Sequence, residues 1–220
     1  AGAAVCHARE DDAARVRCLL ELRYAADPAA AKAALALYEQ AGSVAGLEVA
    51  HEMDGGWRGR LQLVPELPVG RHRRHLDWIA AAAVDFDTFF EGLAARAPAP
   101  LPYRHKPLEL KFFRSVGRTT PSAYASDWSI AYNVSGSLHS HAEAVRETMF
   151  HEIFHLNDRG HDHWSARVLT PLYDAIVERC SLGGKLVTGC LAPYAPNHTL
   201  VRGGTYYAFQ PGNGVWEYAA

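Results

Sequence analysis

Residues 151–155 read His151-Glu152-Ile153-Phe154-His155. They lie in a stretch, 142–157, whose apolar positions Val145, Met149, Ile153 and Phe154 recur at helical spacing. Glu143 and Glu147 fall in the early turns, where negative charge suits the positive end of the helix dipole. No proline interrupts the run. On such a helix, two histidines four apart differ by about 40° in direction and about 6 Å in height. Both imidazoles can therefore reach one cation, held at the angles that tetrahedral zinc requires. Glu152 is turned about 100° from His151. That direction is poor for ligation. It suits taking a proton from water beside the ion and returning it to a leaving amine.

Working outward from this helix, the spacing predicts an upstream strand over Ser129–Val134, ended by Gly136, and another over Leu108–Phe113. Between them a loop carries Gly117, Pro121 and Tyr124. The segment Ala97-Pro98-Ala99-Pro100-Leu101-Pro102 reads as a connector. Before it, Leu76, Ile79, Ala80, Ala83, Phe86, Phe90 and Leu93 give a long helix over 72–96 with one apolar stripe. Further back, Leu47–Met53 and Trp57–Val64 flank Asp54-Gly55-Gly56, a hairpin signal. Asp27-Pro28 caps and starts a helix that stops at Gly42. Helical spacing also covers 9–25. Downstream, a helix is expected over Leu172–Arg179. The pattern is α+β, divided into an N-terminal helical and hairpin extension (1–70) and a second domain (71–220).

Composition narrows the function classes. About half of the residues are apolar (49%) and 21% are charged, which fits a chain able to bury a core. The net charge of −2 gives no bulk attraction to nucleic acid or an anionic membrane. No apolar run approaches the roughly 20 residues of a membrane span. The basic cluster Arg71-His72-Arg73-Arg74-His75 reads as a solvated helix start. The four cysteines form two local pairs, Cys6 with Cys18 and Cys180 with Cys190, neither at zinc-knuckle or redox spacing. Paired as disulfides they imply a secreted or periplasmic protein, with four reduced thiols as the alternative. Ala1-Gly2-Ala3-Ala4 reads as a mature end left after removal of a signal peptide. Gly183-Gly184-Lys185 lacks the rest of a phosphate loop, Gly203-Gly204 reads as a turn, and no serine has the elbow of a hydrolase.

The His-Glu-x-x-His core, with Thr148 three residues before His151 and with Met149, Ile153, Phe154 and Leu156 around it, resembles the zincin family of metallopeptidases. Asn157 departs from that family's pattern, which has an apolar residue there. The likeness covers about residues 72–220. It implies a small mixed sheet with a backing helix, one catalytic zinc ion, a peptide or protein substrate, and Glu152 as general base. It also implies that Ser129–Val134 is the edge strand that captures substrate backbone.

The third metal ligand stays open at this level. Glu217, in Gly214-Val215-Trp216-Glu217-Tyr218, looks like the ligand of the gluzincin branch, with Asn213 or Gly214 capping its helix. The sequence given ends three residues later. Tyr206 and Tyr207, just upstream, resemble the tyrosine segment that stabilises the oxyanion in some members. His161, six residues after His155, is the competing ligand, although Asp158 stands where that branch has glycine. Glu178 is a third candidate. Asp158, Asp162 and His163 read as loop groups or as orienting partners of ligand histidines. His7, His51, His72, His75, His105, His139, His141 and His198 lack ligand spacing. Two other functions share these residues. One is a non-catalytic binding protein of zincin fold. The other is a precursor whose first 70 residues cover the site, with Cys6 or Cys18 as a removable zinc ligand unless they pair with each other.

Overall fold

The structure, a computed structural model, describes residues 2–7, 11–56, 59–195, 200–201 and 205–220. Outside the described residues lie the first two positions of the helix expected over 9–25, Trp57 at the head of an expected strand, His198 and the Gly203-Gly204 turn. Contacts divide the chain into two compact units, Ala1–Ile153 and Phe154–Ala220. This boundary differs from the 70/71 division read from sequence.

The first unit opens with α1 (Gly2–His7) and α2 (Asp12–Arg23), joined by the Cys6–Cys18 disulfide. Asp11 caps α2 by accepting the backbone N–H groups of Ala13 and Ala14. Helix α3 (Pro28–Ala41) starts on Asp27, whose carboxylate accepts from Ala30 N and Gly70 N. It stops at Gly42, which takes the left-handed conformation (φ 66°). After β1 (Val44–Leu47), β2 (His51–Asp54) and β3 (Arg60–Pro65) comes the long helix α4 (Arg74–Ala94). Then follow β4 (Glu109–Ser115), β5 (Ala123–Ser126), β6 (Ser129–Asn133) and α5 (Ala142–Gly160). The class is α+β, as read from sequence.

Strand β4 is the centre of the sheet. It pairs in parallel with β1 and β6 and antiparallel with β3, while β2 pairs with β3 and β5 with β6. Residues 44–65 therefore belong to the same sheet as 109–133. On one side of the sheet, Leu61, Leu63, Phe113 and Ala131 cluster, with Met53 and Tyr124 packed against them. Leu37, Ile79, Phe86, Leu110, Met149 and Ile153 line a single interior seam, drawn from α3, α4, β4 and α5. The apolar stripes of those helices end there.

Three expectations need correction. Ser129–Val134 is not an edge strand: β6 lies between β4 and β5, and all five of its residues are buried. Its unbroken apolar run, Ile130-Ala131-Tyr132, is the mark of a strand covered on both faces. The edge belongs to β5, within the segment expected as a loop. Its hairpin turn to β6 is Asp127-Trp128, both with positive φ (48° and 59°). Such two-residue turns favour Asn-Gly or Asp-Gly, so Asp-Trp concealed the signal. The Arg104 guanidinium lies 3.5 Å from the Trp128 ring centroid and braces that turn. Finally, the basic segment at 71–75 is not wholly solvated, because His75 is 1% exposed.

His75 and His139, both buried, share an aromatic cluster with Tyr132. His75 Nδ1 is 2.8 Å from the Tyr132 hydroxyl. The His139 ring stacks on Tyr132 at 3.8 Å, and its Nδ1 donates to the Asn133 carbonyl at 2.8 Å. Neither Nε2 reaches a hydrogen-bond partner among the described residues. Burial pushes His75 down to about 3 and His139 down to about 4, from an ordinary 6.5. For His75, repulsion from His139, His72 and Arg74 adds to the effect, while the Val134 carbonyl opposes it. The Asn133 carbonyl opposes the shift of His139.

In the unfolded chain both rings titrate near their ordinary value. Below it, the unfolded state binds more protons than the native state. Native stability is therefore full above pH 6.5 and falls as pH drops toward 4. Urea midpoints measured between these pH values should decline with acidity, and His139→Gln should flatten the decline. An equally steep decline in the variant would remove His139 from the account.

Candidate metal centre

Helix α5 begins on His141. Its carbonyl accepts from Val145 N and its ring Nδ1 from Ala144 N, so an imidazole serves as the cap. Val145, Met149, Ile153 and Leu156 form the buried stripe, and Thr148 bonds back to the Ala144 carbonyl. Phe154, expected on that stripe, is only partly buried. The helix runs unbroken through His151, Glu152 and His155 to Gly160. His151 and His155 are partly buried and Glu152 is 7% exposed.

The third group comes from the C-terminal segment. Helix α6 (Trp164–Arg179) leads to a small hairpin, β7 (Ser181–Leu182) and β8 (Lys185–Leu186), and then to α7 (Thr188–Leu191). The Cys180–Cys190 disulfide closes this loop. A second short pair, β9 (Leu200–Val201) and β10 (Thr205–Tyr206), precedes a 3-10 turn at Tyr207–Phe209 and the last helix, α8 (Val215–Ala219). The core here is Ile176, Cys180, Leu191, Tyr206 and Phe209. Tyr173 stacks on Phe209 at 5.3 Å, and Tyr218 packs against both rings at 5.6 and 5.5 Å. A five-residue helix has little stability of its own, so this aromatic seat sets where α8 lies.

Glu217, next to Tyr218, brings its Oε1 to 3.5 Å from His155 Nε2. His151, His155 and Glu217 each offer one ligand atom, and the three atoms lie within 4.8 Å of one another. Two ligands on a tetrahedral zinc at about 2.05 Å stand about 3.3 Å apart, close to the His155–Glu217 separation. Two neutral imidazoles and one carboxylate suit zinc, and the carboxylate offsets part of the charge of the cation. The residues present therefore fit a zinc ion.

The other sequence candidates fall elsewhere. His161 is outside this group. Because α5 continues to Gly160, His161 lies about 120° around from His155, and its Nδ1 donates to the Asn157 carbonyl at 2.7 Å. The positive-φ turn comes later, at Asp162 and His163 (φ 54° and 52°). Glu178 is exposed on α6, which begins well before the expected Leu172 and carries Pro171 inside it. The buried carboxylate of Asp158 starts that helix early, accepting from Ser165 N and Oγ at 2.7 and 2.8 Å. Tyr206 is a core residue, 5% exposed, and not a group facing solvent, whereas Tyr207 is 39% exposed. Helix α8 is capped by Gly214, without a side-chain bond. With Cys6 bonded to Cys18, neither thiol can ligate zinc as a removable switch.

Sequence reasoning gave no packing role to the residues around Glu217, namely Tyr173, Phe209, Tyr218 and the Trp216–His163 ring pair (5.6 Å), having read His163 as a loop group or an orienting partner of a ligand histidine. The only available signal was the density of aromatic residues after 205. No known protein-family model, curated protein or solved structure matches the chain.

The geometry separates Glu217 from His161. Glu217→Ala should weaken zinc binding, measured by chelator competition, by more than about 100-fold. His161→Ala should leave it near the parent value. The reverse pattern would transfer the third position to His161.

Proposed function

We propose that this chain is a zinc-dependent metallopeptidase of zincin type, hydrolysing peptide bonds outside the cytoplasm. The convergence of the His151, His155 and Glu217 ligand atoms carries the reading, with Glu152 one residue beyond the first histidine. Two disulfides support an oxidising location. No described helix is long and apolar enough to cross a membrane.

His151, His155 and Glu217 would hold the ion. When bound, zinc supplies Lewis-acid polarisation of the scissile carbonyl and of water. Glu152 takes one proton from the attacking water, then delivers it to the departing amine nitrogen as the C–N bond breaks. Its carboxylate ends the cycle as it began. Tyr207, the more exposed of the paired tyrosines, is the remaining candidate for a hydrogen bond to the developing oxyanion.

Mass-spectrometric profiling of a peptide mixture with the zinc-loaded chain tests this. The parent should generate cleavage products. Glu152→Gln should keep its zinc and lose about 10²- to 10⁴-fold in rate. Intact peptides after prolonged incubation with the zinc-replete parent, or undiminished turnover by the variant, would defeat the proposal.

A further inference from the structure

Resting on the metal-centre reading above, we propose that His163 is a positioning residue for the ligand Glu217, acting through the ring of Trp216. Trp216 and Tyr218 flank Glu217 and point about 200° apart around α8. Tyr218 is seated on Tyr173 and Phe209. Trp216 meets the His163 ring at 5.6 Å with a 58° tilt. The short helix is thus held on both sides of its ligand, and His163 provides one of the two holds.

His163 is itself held in place. It adopts φ 52° directly after Asp162 at φ 54°, a left-handed pair without glycine. The Asp158 carbonyl accepts from both His161 N and His163 N. The Asp158 carboxylate, 2% exposed, binds Ser165 and stands 3.8 Å from His163 Nδ1. Arg167 Nη1 donates to the Asp162 carbonyl at 2.6 Å. Asp158 lies three residues after His155 on α5. The chain of contacts from Asp158 through His163 to Trp216 therefore ties the helix bearing one ligand to the helix bearing another. The His163 side chain is 52% exposed and Trp216 is 47% exposed. A contact at the surface contributes little to global stability, yet it sets the angle of the carboxylate. Groups that orient ligands typically change metal affinity by about 10- to 100-fold.

The full chain, stripped of metal and titrated with zinc and then with cobalt(II), provides the test. His163→Ala should bind zinc at least about tenfold more weakly and alter the visible cobalt absorption, with the metal-free melting temperature nearly unchanged. His163→Phe, which keeps a ring against Trp216, should restore both. Trp216→Ala should match His163→Ala, and the double variant should be no worse than either. Parent-like affinity and cobalt spectrum in His163→Ala, failure of Phe to rescue, or additive losses would overturn the inference while leaving the zinc centre standing. A parent chain that binds neither ion would overturn both.

Discussion

Two imidazoles one helical turn apart restrict the direction from which any third ligand can approach. They occupy one face of α5, and a tetrahedral ion leaves only a narrow range of positions for a further donor. The candidate third donor, Glu217, sits on a helix of five residues, too short to be stable alone. The position of the carboxylate is consequently a property of aromatic packing rather than of the helix. Tyr173, Phe209 and Tyr218 form the seat, and Glu217 stands beside it. The chemistry proposed for the site thus depends on aromatic residues outside the three candidate ligands.

Polar groups away from the ligands follow a related logic. Buried Asp158 is satisfied by Ser165 and thereby starts α6. His139 is satisfied on one nitrogen only among the described residues, and its burial holds it neutral and gives it its acid sensitivity. Among the described residues, the non-glycine left-handed positions come in two pairs, Asp127-Trp128 and Asp162-His163. In each pair the bulky member meets a partner: Arg104 covers Trp128, and Trp216 meets His163. Backbone strain at these turns is offset by side-chain contact, where glycine would have avoided it.

Local signals carried much of the fold. Asp27-Pro28 and Gly42 mark the limits of α3 almost to the residue, because capping and φ are set within a few positions. The 3.6-residue stripe identified α4 and α5. The disulfide pairing followed from the local spacing of the cysteines. Signals that depend on distant partners were not legible. The place of β6 within the sheet requires β4 and β5 on either side. The short strand β5 spans only four residues, half of them alanine, and its turn lacks glycine. At the candidate site, His151, Glu152 and His155 were readable from spacing alone, and Glu217 only through resemblance. The burial of Tyr206 and the aromatic seat of α8 arise from tertiary packing, which no local window displays.

Among the described residues, the interior of the second unit is the small cluster around Ile176, Leu191 and Phe209. Chains below roughly 70–80 residues seldom hold themselves together on such a core without a covalent staple. Cys180–Cys190 is that staple, and it closes the loop directly after α6. The choice of host for producing this protein therefore carries structural weight. A glutathione-rich cytoplasm would keep both sulfurs as thiols. Purified material from such a source would show a disordered C-terminal third, for reasons unrelated to the residues of the candidate site.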